Sequence, residues 1–101
     1  MWAQLVKARV KVGREEELRR LYQEASSTSS PDSGWVRSLS LRNQNDPQEI
    51  YGVIIFESEA RAREYERSSE QAELTGHLGD LMDGTPEFVD FDSVEEYAPG
   101  R

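Results

Sequence analysis

The chain has 101 residues, no cysteine, a formal net charge of -8 and a pI near 4.6. The length predicts one domain over residues 1–101, and the missing cysteines exclude disulfides, thiol catalysis and thiolate-bound metal. The acidic charge disfavours nucleic acid and membrane surfaces as partners, and without an apolar span or a signal peptide we expect a cytoplasmic protein.

The first two predicted elements are a strand and a helix. Residues of one parity from Trp2 to Val12 are mostly apolar, which is typical of a strand with one buried face. From Glu15 to Ala25 the apolar residues recur at helical spacing, and the first turn is acidic, which suits the helix dipole. The next stretch, Ser26–Ser33, is rich in serine and is predicted to be a loop.

Two strands joined by a polar turn are predicted next. Alternation over Gly34–Arg42 places Trp35, Arg37, Leu39 and Leu41 on one face, and Asn43–Pro47 has turn composition. The run Ile50–Phe56 is apolar and interrupted only by Gly52, as in a strand buried on both faces. A chain this small has few residues to cover both faces, so we expect a second subunit to cover one of them.

The C-terminal half predicts helices followed by a last strand. Ser58 suits the N-cap of a helix that reaches about Ser68, and a further helix begins at Ser69. Gly76 and Gly79 weaken that second helix, so we expect it to fray or break there. With a last strand over Glu87–Tyr97, the order predicts an α+β fold. This is a ferredoxin-like βαββαβ antiparallel sheet with the helices on one face and the first and third strands central.

Three segments, in this order, resemble the antibiotic biosynthesis monooxygenase-like family of the dimeric α/β barrel superfamily: Val10–Gly13 before the glutamate-rich helix, Gly34–Val36, and Phe56–Glu59. The resemblance implies a homodimer whose two sheets pack face to face, with a cavity between sheet and helices in each subunit. Active members oxidise small polycyclic aromatics with dioxygen, without metal or flavin. The resemblance therefore implies a cofactor-independent monooxygenase acting on a small aromatic or quinol.

Two alternatives remain open at this stage. A haem-degrading branch of the same superfamily uses an asparagine on the first strand and a tryptophan followed by a haem-ligating histidine. The asparagine and tryptophan of that branch are replaced here by Val6 and Tyr65. His77 lies about two residues later than the position of the haem-ligating histidine. The second alternative is a dimeric module that binds a small ligand without turnover, because the sequence contains no complete catalytic constellation.

Four residues are candidates for the site. His77, the only histidine, is a possible general base because its usual pKa lies near neutrality, although a boundary histidine without a role is the commoner case. Tyr65 is a possible hydrogen-bond donor to a substrate, or else an anchor between helix and sheet. Trp35 and Arg37 are possible substrate-binding residues. The alternative for Trp35 is a core or dimer contact, and the alternative for Arg37, which we favour, is an ion pair with an acid across the dimer.

No cofactor or metal is expected. A possible metal-ligand series is spaced at three-residue intervals: His77, Asp80 and Asp83. Side chains from a single stretch of helix do not converge well on one metal ion, however. The turn after the first strand contains a single glycine, Gly13, so it lacks the glycine-rich loop that receives a dinucleotide phosphate.

Overall fold

A computed structural model describes residues 1–100. The sheet has four antiparallel strands in the order β2-β3-β1-β4, which makes the first and third strands central as predicted. The predicted α+β, ferredoxin-like arrangement is confirmed. Over residues 1–100, no helix has the length and apolar character needed to cross a membrane. The elements are β1 (Trp2–Arg9), α1 (Glu15–Thr28), β2 (Trp35–Asn43), β3 (Asp46–Phe56), α2 (Glu59–Glu66), α3 (Ser69–Leu81) and β4 (Glu87–Phe91).

The helices cover one face of the sheet. The other, the open face, is largely exposed, although Ala3 and Ile55 on it are buried near the Arg37–Glu96 pair. The register places Gln4, Ile54 and Ser38 in one row on the helix side. The next row, Ala3, Ile55 and Arg37, points to the other side because side chains alternate along a strand. Apolar side chains on the open face remain about half exposed, namely Leu39, Leu41, Val89 and Phe91.

A β-bulge near the start of β2 changes which residues share a face. Trp35 pairs with Phe56 and Arg37 with Ile55, so Val36 is an extra residue between two consecutive pairs. The bulge turns Trp35 toward the helices while Arg37 points to the open face. The prediction that Trp35 lies on the same face as Arg37, Leu39 and Leu41 is therefore wrong, because strict alternation does not include the inserted residue.

The boundaries of several elements differ from the prediction for local reasons. β1 ends at Arg9 rather than Val12, since Val10 forms only an isolated bridge to Met82. α1 continues to Thr28, and the Ser27 and Thr28 hydroxyls donate to the Glu24 carbonyl at 3.0 and 2.9 Å. The serine-rich loop is accordingly shorter than predicted.

The second half shows similar shifts. β3 begins at Asp46, so the hairpin turn is shorter than the predicted Asn43–Pro47. Ser58 is the N-cap of α2, and its Oγ accepts from the Arg61 N–H at 3.2 Å. α3 runs through both glycines without a break. β4 ends at Phe91 rather than Tyr97, and the segment after it reaches β2, where Glu96 pairs with Arg37.

The buried side chains on the helix side form two separate clusters. The first contains Trp2, Phe56 and Ala62, with Trp35, Ile54 and Tyr65 packed against it. The second contains Val10, Leu18 and Leu81, with Leu21, Tyr22, Ile50, Leu78 and Met82 packed against it. β1 and β3 run from one cluster to the other. The side chains in the middle of these strands therefore lie between the two clusters.

Gly34 offers a test of how the loop before β2 is held. Its φ is +86°, and a Cβ added there would lie 2.7 Å from Arg61 Cβ. Gly13 has a similar φ of +81° but has nothing within 4 Å. We expect Gly13→Ala to lose about 1 kcal/mol from backbone strain alone, and Gly34→Ala to lose a further ~1–3 kcal/mol from overpacking. Urea unfolding measures both values, and equal losses would contradict the packing argument.

Candidate functional site

A cavity of about 300 Å³ lies between the sheet and the helices. It occupies the region between the two core clusters, where the middle of β1 and β3 faces α1 and α3. Its lining is mainly apolar, with a few polar side chains. The sheet contributes Trp2, Gln4, Val6, Ala8, Trp35, Ser38, Ile50, Gly52, Ile54, Phe56 and Phe88, and the helices contribute, among others, Leu18, Tyr22, Tyr65, Gln71, Leu74 and Leu78.

Aromatic rings form one end of the cavity. The ring centroids of Phe56 and Tyr65 are 5.7 Å apart, and those of Trp35 and Tyr65 are 6.4 Å apart, both tilted. The Trp2 ring lies 6.3 Å from Phe56. Trp35 Nε1 donates to Ser38 Oγ at 2.8 Å, which fixes the indole against β2. Tilted rings at these separations make a rigid wall against which an aromatic ligand can pack.

Gly52 provides the floor of the cavity. It pairs with Val6 on one side and with Ser40 on the other, in the centre of the sheet. A Cβ placed on it would have only Val6 Cβ nearby, at 3.9 Å, so the space above this glycine is free. A glycine inside a buried strand often marks such a close approach, and Gly52 was the signal in the sequence that could have located the cavity.

Few polar groups face this cavity, and most of them are neutral. Burial raises the pKa of the Tyr22 hydroxyl, so it stays protonated and can donate a hydrogen bond at neutral pH. Gln71 Nε2 lies 3.4 Å from Thr75 Oγ1, and both residues line the same wall. Glu66 is the only carboxylate among the described lining residues, and Arg63 Nη1 donates to it at 2.8 Å.

Of the four predicted site residues, the structure brings together Trp35 and Tyr65. Both line the cavity and their rings are neighbours. His77 instead lines an open groove between α1 and α3, together with Glu17, Glu24, Glu70 and Glu73. Tyr65 borders this groove as well as the cavity, whereas His77 is not among the cavity-lining residues.

Arg37 lies on the opposite side of the sheet from the cavity-lining side chains. Its guanidinium pairs with Glu96 at 2.5 Å, and both side chains are about half exposed. The favoured interpretation, an ion pair, matches this geometry, but the acid belongs to the same chain rather than to a partner. An exposed pair of this kind contributes about 0–1 kcal/mol to stability.

The described residues do not gather at this cavity the ligands that a metal ion or a haem would need. Within residues 1–100, no group of three or more His, Asp or Glu side chains is placed to hold a metal ion. For haem, Val6 occupies the wall where the haem-degrading branch has its asparagine, and His77 lies in the outer groove. These residues do not fit a haem in the cavity.

Comparisons with known proteins identify the fold. No protein-family model and no curated protein matches the sequence. Solved structures match over nearly the whole chain: an antibiotic biosynthesis monooxygenase (TM-score 0.77, 14% identity, 94% of this chain and 100% of that chain), and SnoaB, a cofactor-independent oxygenase from Streptomyces nogalater (0.79, 15%, 97% and 96%). A conserved protein from Methanosarcina mazei Go1 is similar to the same degree (0.79, 16%, 93% and 94%). The predicted resemblance to the antibiotic biosynthesis monooxygenase-like family is confirmed at the level of the fold.

Filling the space above Gly52 tests whether the cavity binds ligands. Gly52→Leu directs a side chain into the cavity, and we expect it to weaken binding of 2-naphthol at least tenfold, since bound rings and the new side chain compete for one space. Equilibrium dialysis measures the affinity.

Two controls accompany this variant. Gly76→Leu adds the same side chain to α3 where nothing lies within 4 Å, outside the cavity lining, so it should bind 2-naphthol like the parent. Gly52→Ala adds only the Cβ and should have a small effect. Unchanged binding in Gly52→Leu would show that aromatics bind elsewhere.

Proposed function

We propose that this chain is a cofactor-independent monooxygenase whose substrate is a small aromatic or quinol bound in the cavity between sheet and helices. The observation that carries the proposal is the cavity itself: about 300 Å³, walled by aromatic rings and floored by Gly52. Its size falls at the lower end of the ~300–1,000 Å³ range of small-molecule sites. The fold shared with SnoaB, a cofactor-independent oxygenase, supports the reaction class.

In this reaction the substrate itself supplies the reactivity. A methylene flanked by aromatic rings, or its phenolic enol, loses a proton and gives electrons to dioxygen. One oxygen atom ends in the new carbonyl group and the other leaves as water, and the substrate supplies all the electrons. The contribution of the protein is to bind the anion in a mainly apolar space, where hydrogen bonds from donors such as the Tyr22 and Tyr65 hydroxyls are strong.

The proton of the substrate needs an acceptor. His77 was the candidate from the sequence, but it lines the outer groove. Glu66 is the carboxylate at the cavity, and Arg63 Nη1 donates a hydrogen bond to it at 2.8 Å. A carboxylate is ordinarily a much weaker base than a phenolate, so the substrate must be an easily ionised phenol or enol.

A second function, binding without turnover, is favoured by a specific observation. The described cavity lining contains no histidine and only the ion-paired Glu66 as a possible base. A dimeric module that holds a small aromatic ligand needs the cavity but no base.

Oxygen uptake separates the two functions. With a panel of quinols and hydroxyanthrones, the monooxygenase should consume oxygen, and the rate should persist after dialysis against EDTA and without added flavin or haem. The Gly52→Leu variant should lose the activity together with the binding. No uptake, together with an increase of the melting temperature by the same compounds, would favour the binding module.

Two substitutions test the proton acceptor. If Glu66 accepts the proton, Glu66→Gln should lower kcat by about 10²–10⁴-fold, the usual range for general acid–base catalysis, while His77→Ala keeps the parental rate. The opposite result, loss in His77→Ala only, would restore the histidine as the base and contradict the role of Glu66. Circular dichroism of both variants controls for folding.

The assembly that accompanies this function is a homodimer joined through the open faces of two sheets. The open face carries a row of apolar side chains that the helices do not cover: Leu5, Leu39, Leu41, Val53, Val89 and Phe91. Patches of this kind on small proteins commonly mark interfaces. Covering them supplies buried apolar area that a chain of 101 residues otherwise lacks.

A pair of neighbouring substitutions tests the dimer. Leu39→Asp places a charge on the open face and should convert the dimer to a monomer, because an unpaired charge in an apolar interface is strongly unfavourable. Ser40→Asp introduces the same charge on the next residue of β2, which faces the helix side, and should leave the dimer intact. Analytical ultracentrifugation measures both, and a parent chain that sediments as a folded monomer would contradict the proposal.

A further inference from the structure

Gln4 is a cavity-lining side chain whose amide is oriented by a hydrogen bond to the neighbouring strand. It lies on β1 in register with Asp90 of the edge strand β4. Gln4 Nε2 donates a hydrogen bond to Asp90 Oδ1 at 3.0 Å. The amide group therefore has its NH₂ end directed toward β4.

Asp90 is itself held on both of its oxygen atoms. Its Oδ2 accepts from Arg63 Nη2 at 3.0 Å, while Oδ1 accepts from Gln4. Arg63 is fixed in turn by Glu59 and Glu66, and its guanidinium carbon lies 5.0 Å from the centre of the Trp2 ring, itself a wall of the cavity. The hydrogen bonds from Gln4 and Arg63 lower the pKa of Asp90, so it is ionised at neutral pH.

An ionised carboxylate allows only one orientation of the neighbouring amide. Rotating the Gln4 amide by half a turn would set its carbonyl oxygen against the Asp90 oxygen, and two acceptors repel each other. With one N–H bonded to Asp90 and the NH₂ end directed toward β4, the carbonyl oxygen Oε1 lies at the other end of the amide, and this oxygen is an acceptor only.

We propose that Gln4 selects ligands that carry a hydroxyl hydrogen-bond donor at the β1–β4 end of the cavity. This inference rests on the proposed binding function and narrows it to a chemical class: phenols, quinols and enols, which can donate to Oε1. Quinones and aryl ethers offer no donor there. The site therefore retains the reduced substrate more tightly than its oxidised product. Asp90 and Arg63 act as positioning residues, because they orient the amide and Asp90 does not line the cavity.

Two nearly isosteric probes test the inference: 2-naphthol, which has the donor, and 2-fluoronaphthalene, which lacks it. The ratio of their dissociation constants, measured by equilibrium dialysis, reports the hydrogen bond independently of how well the naphthalene ring fits the cavity. We expect the parent chain to prefer 2-naphthol by about tenfold, near the upper value for one net hydrogen bond. In Gln4→Leu the preference should fall below about twofold, with 2-fluoronaphthalene still bound.

A second variant tests the role of Asp90. Asp90→Asn replaces the obligate acceptor by an amide that can either accept or donate, so both orientations of Gln4 become possible and the preference should fall to about threefold. Asp92→Asn removes the same charge just beyond β4 and should keep the parental ratio. A ratio unchanged in Gln4→Leu would overturn the assignment of Gln4, and one unchanged in Asp90→Asn would overturn the positioning role of Asp90.

These outcomes are distinguishable from a failure of the proposed function. If neither probe binds the parent chain, or if Gly52→Leu binds both as well as the parent does, the cavity is not the ligand site and the inference fails with it. If both probes bind in the cavity with equal affinity, only the selection by Gln4 is overturned.

Discussion

The antiparallel pairing of β1 with β3 determines where everything else in the molecule lies. Its register runs from Trp2 opposite Phe56 to Arg9 opposite Glu49. At one end Trp2 and Phe56 form a buried cluster with Ala62 of α2. At the other end, just beyond β1, Val10 forms the second cluster with Leu18 of α1 and Leu81 of α3. In the middle of the pair, on the helix side, Gly52 lies opposite Val6 and leaves free space above it. A shift of one residue would turn every side chain of one strand to the other face and would remove this pattern.

The sequence predicted the sheet well because the signals there are strong and local. The apolar run Ile50–Phe56 indicated a central strand, and the serine before the second helix is the N-cap in the structure. The cavity walls were only partly predictable. Trp35 and Tyr65 lie there, but the face of Trp35 depends on a bulge at Val36 that leaves no distinctive residue type in the sequence. Gln4 was missed because its role depends on Asp90, which is distant in the chain. Glu66 was missed because only the packing of α2 against the sheet brings it to the cavity.

The helical candidates were harder to place than those on strands. His77 lies at the edge of the apolar stripe of α3, and such a residue faces either the sheet or the neighbouring helix, depending on the angle at which the helices pack. Because α3 packs beside α1, His77 borders the groove between them. Periodicity gives the face of a helix only to within about one residue, or 100°, so the sequence alone does not distinguish the two positions.

The cavity has an energetic consequence that links binding to folding. A cavity of about 300 Å³ that is left unfilled costs stability, because its walls lack the packing contacts of a close-packed core. Polar groups such as Gln4, Gln71 and Thr75 on the wall let water occupy part of the space and reduce this cost. An aromatic ligand that displaces poorly held water restores apolar contacts on all sides. The two core clusters, separated in the free chain, would then be joined through the ligand, so that ligand affinity and the stability of the fold increase together.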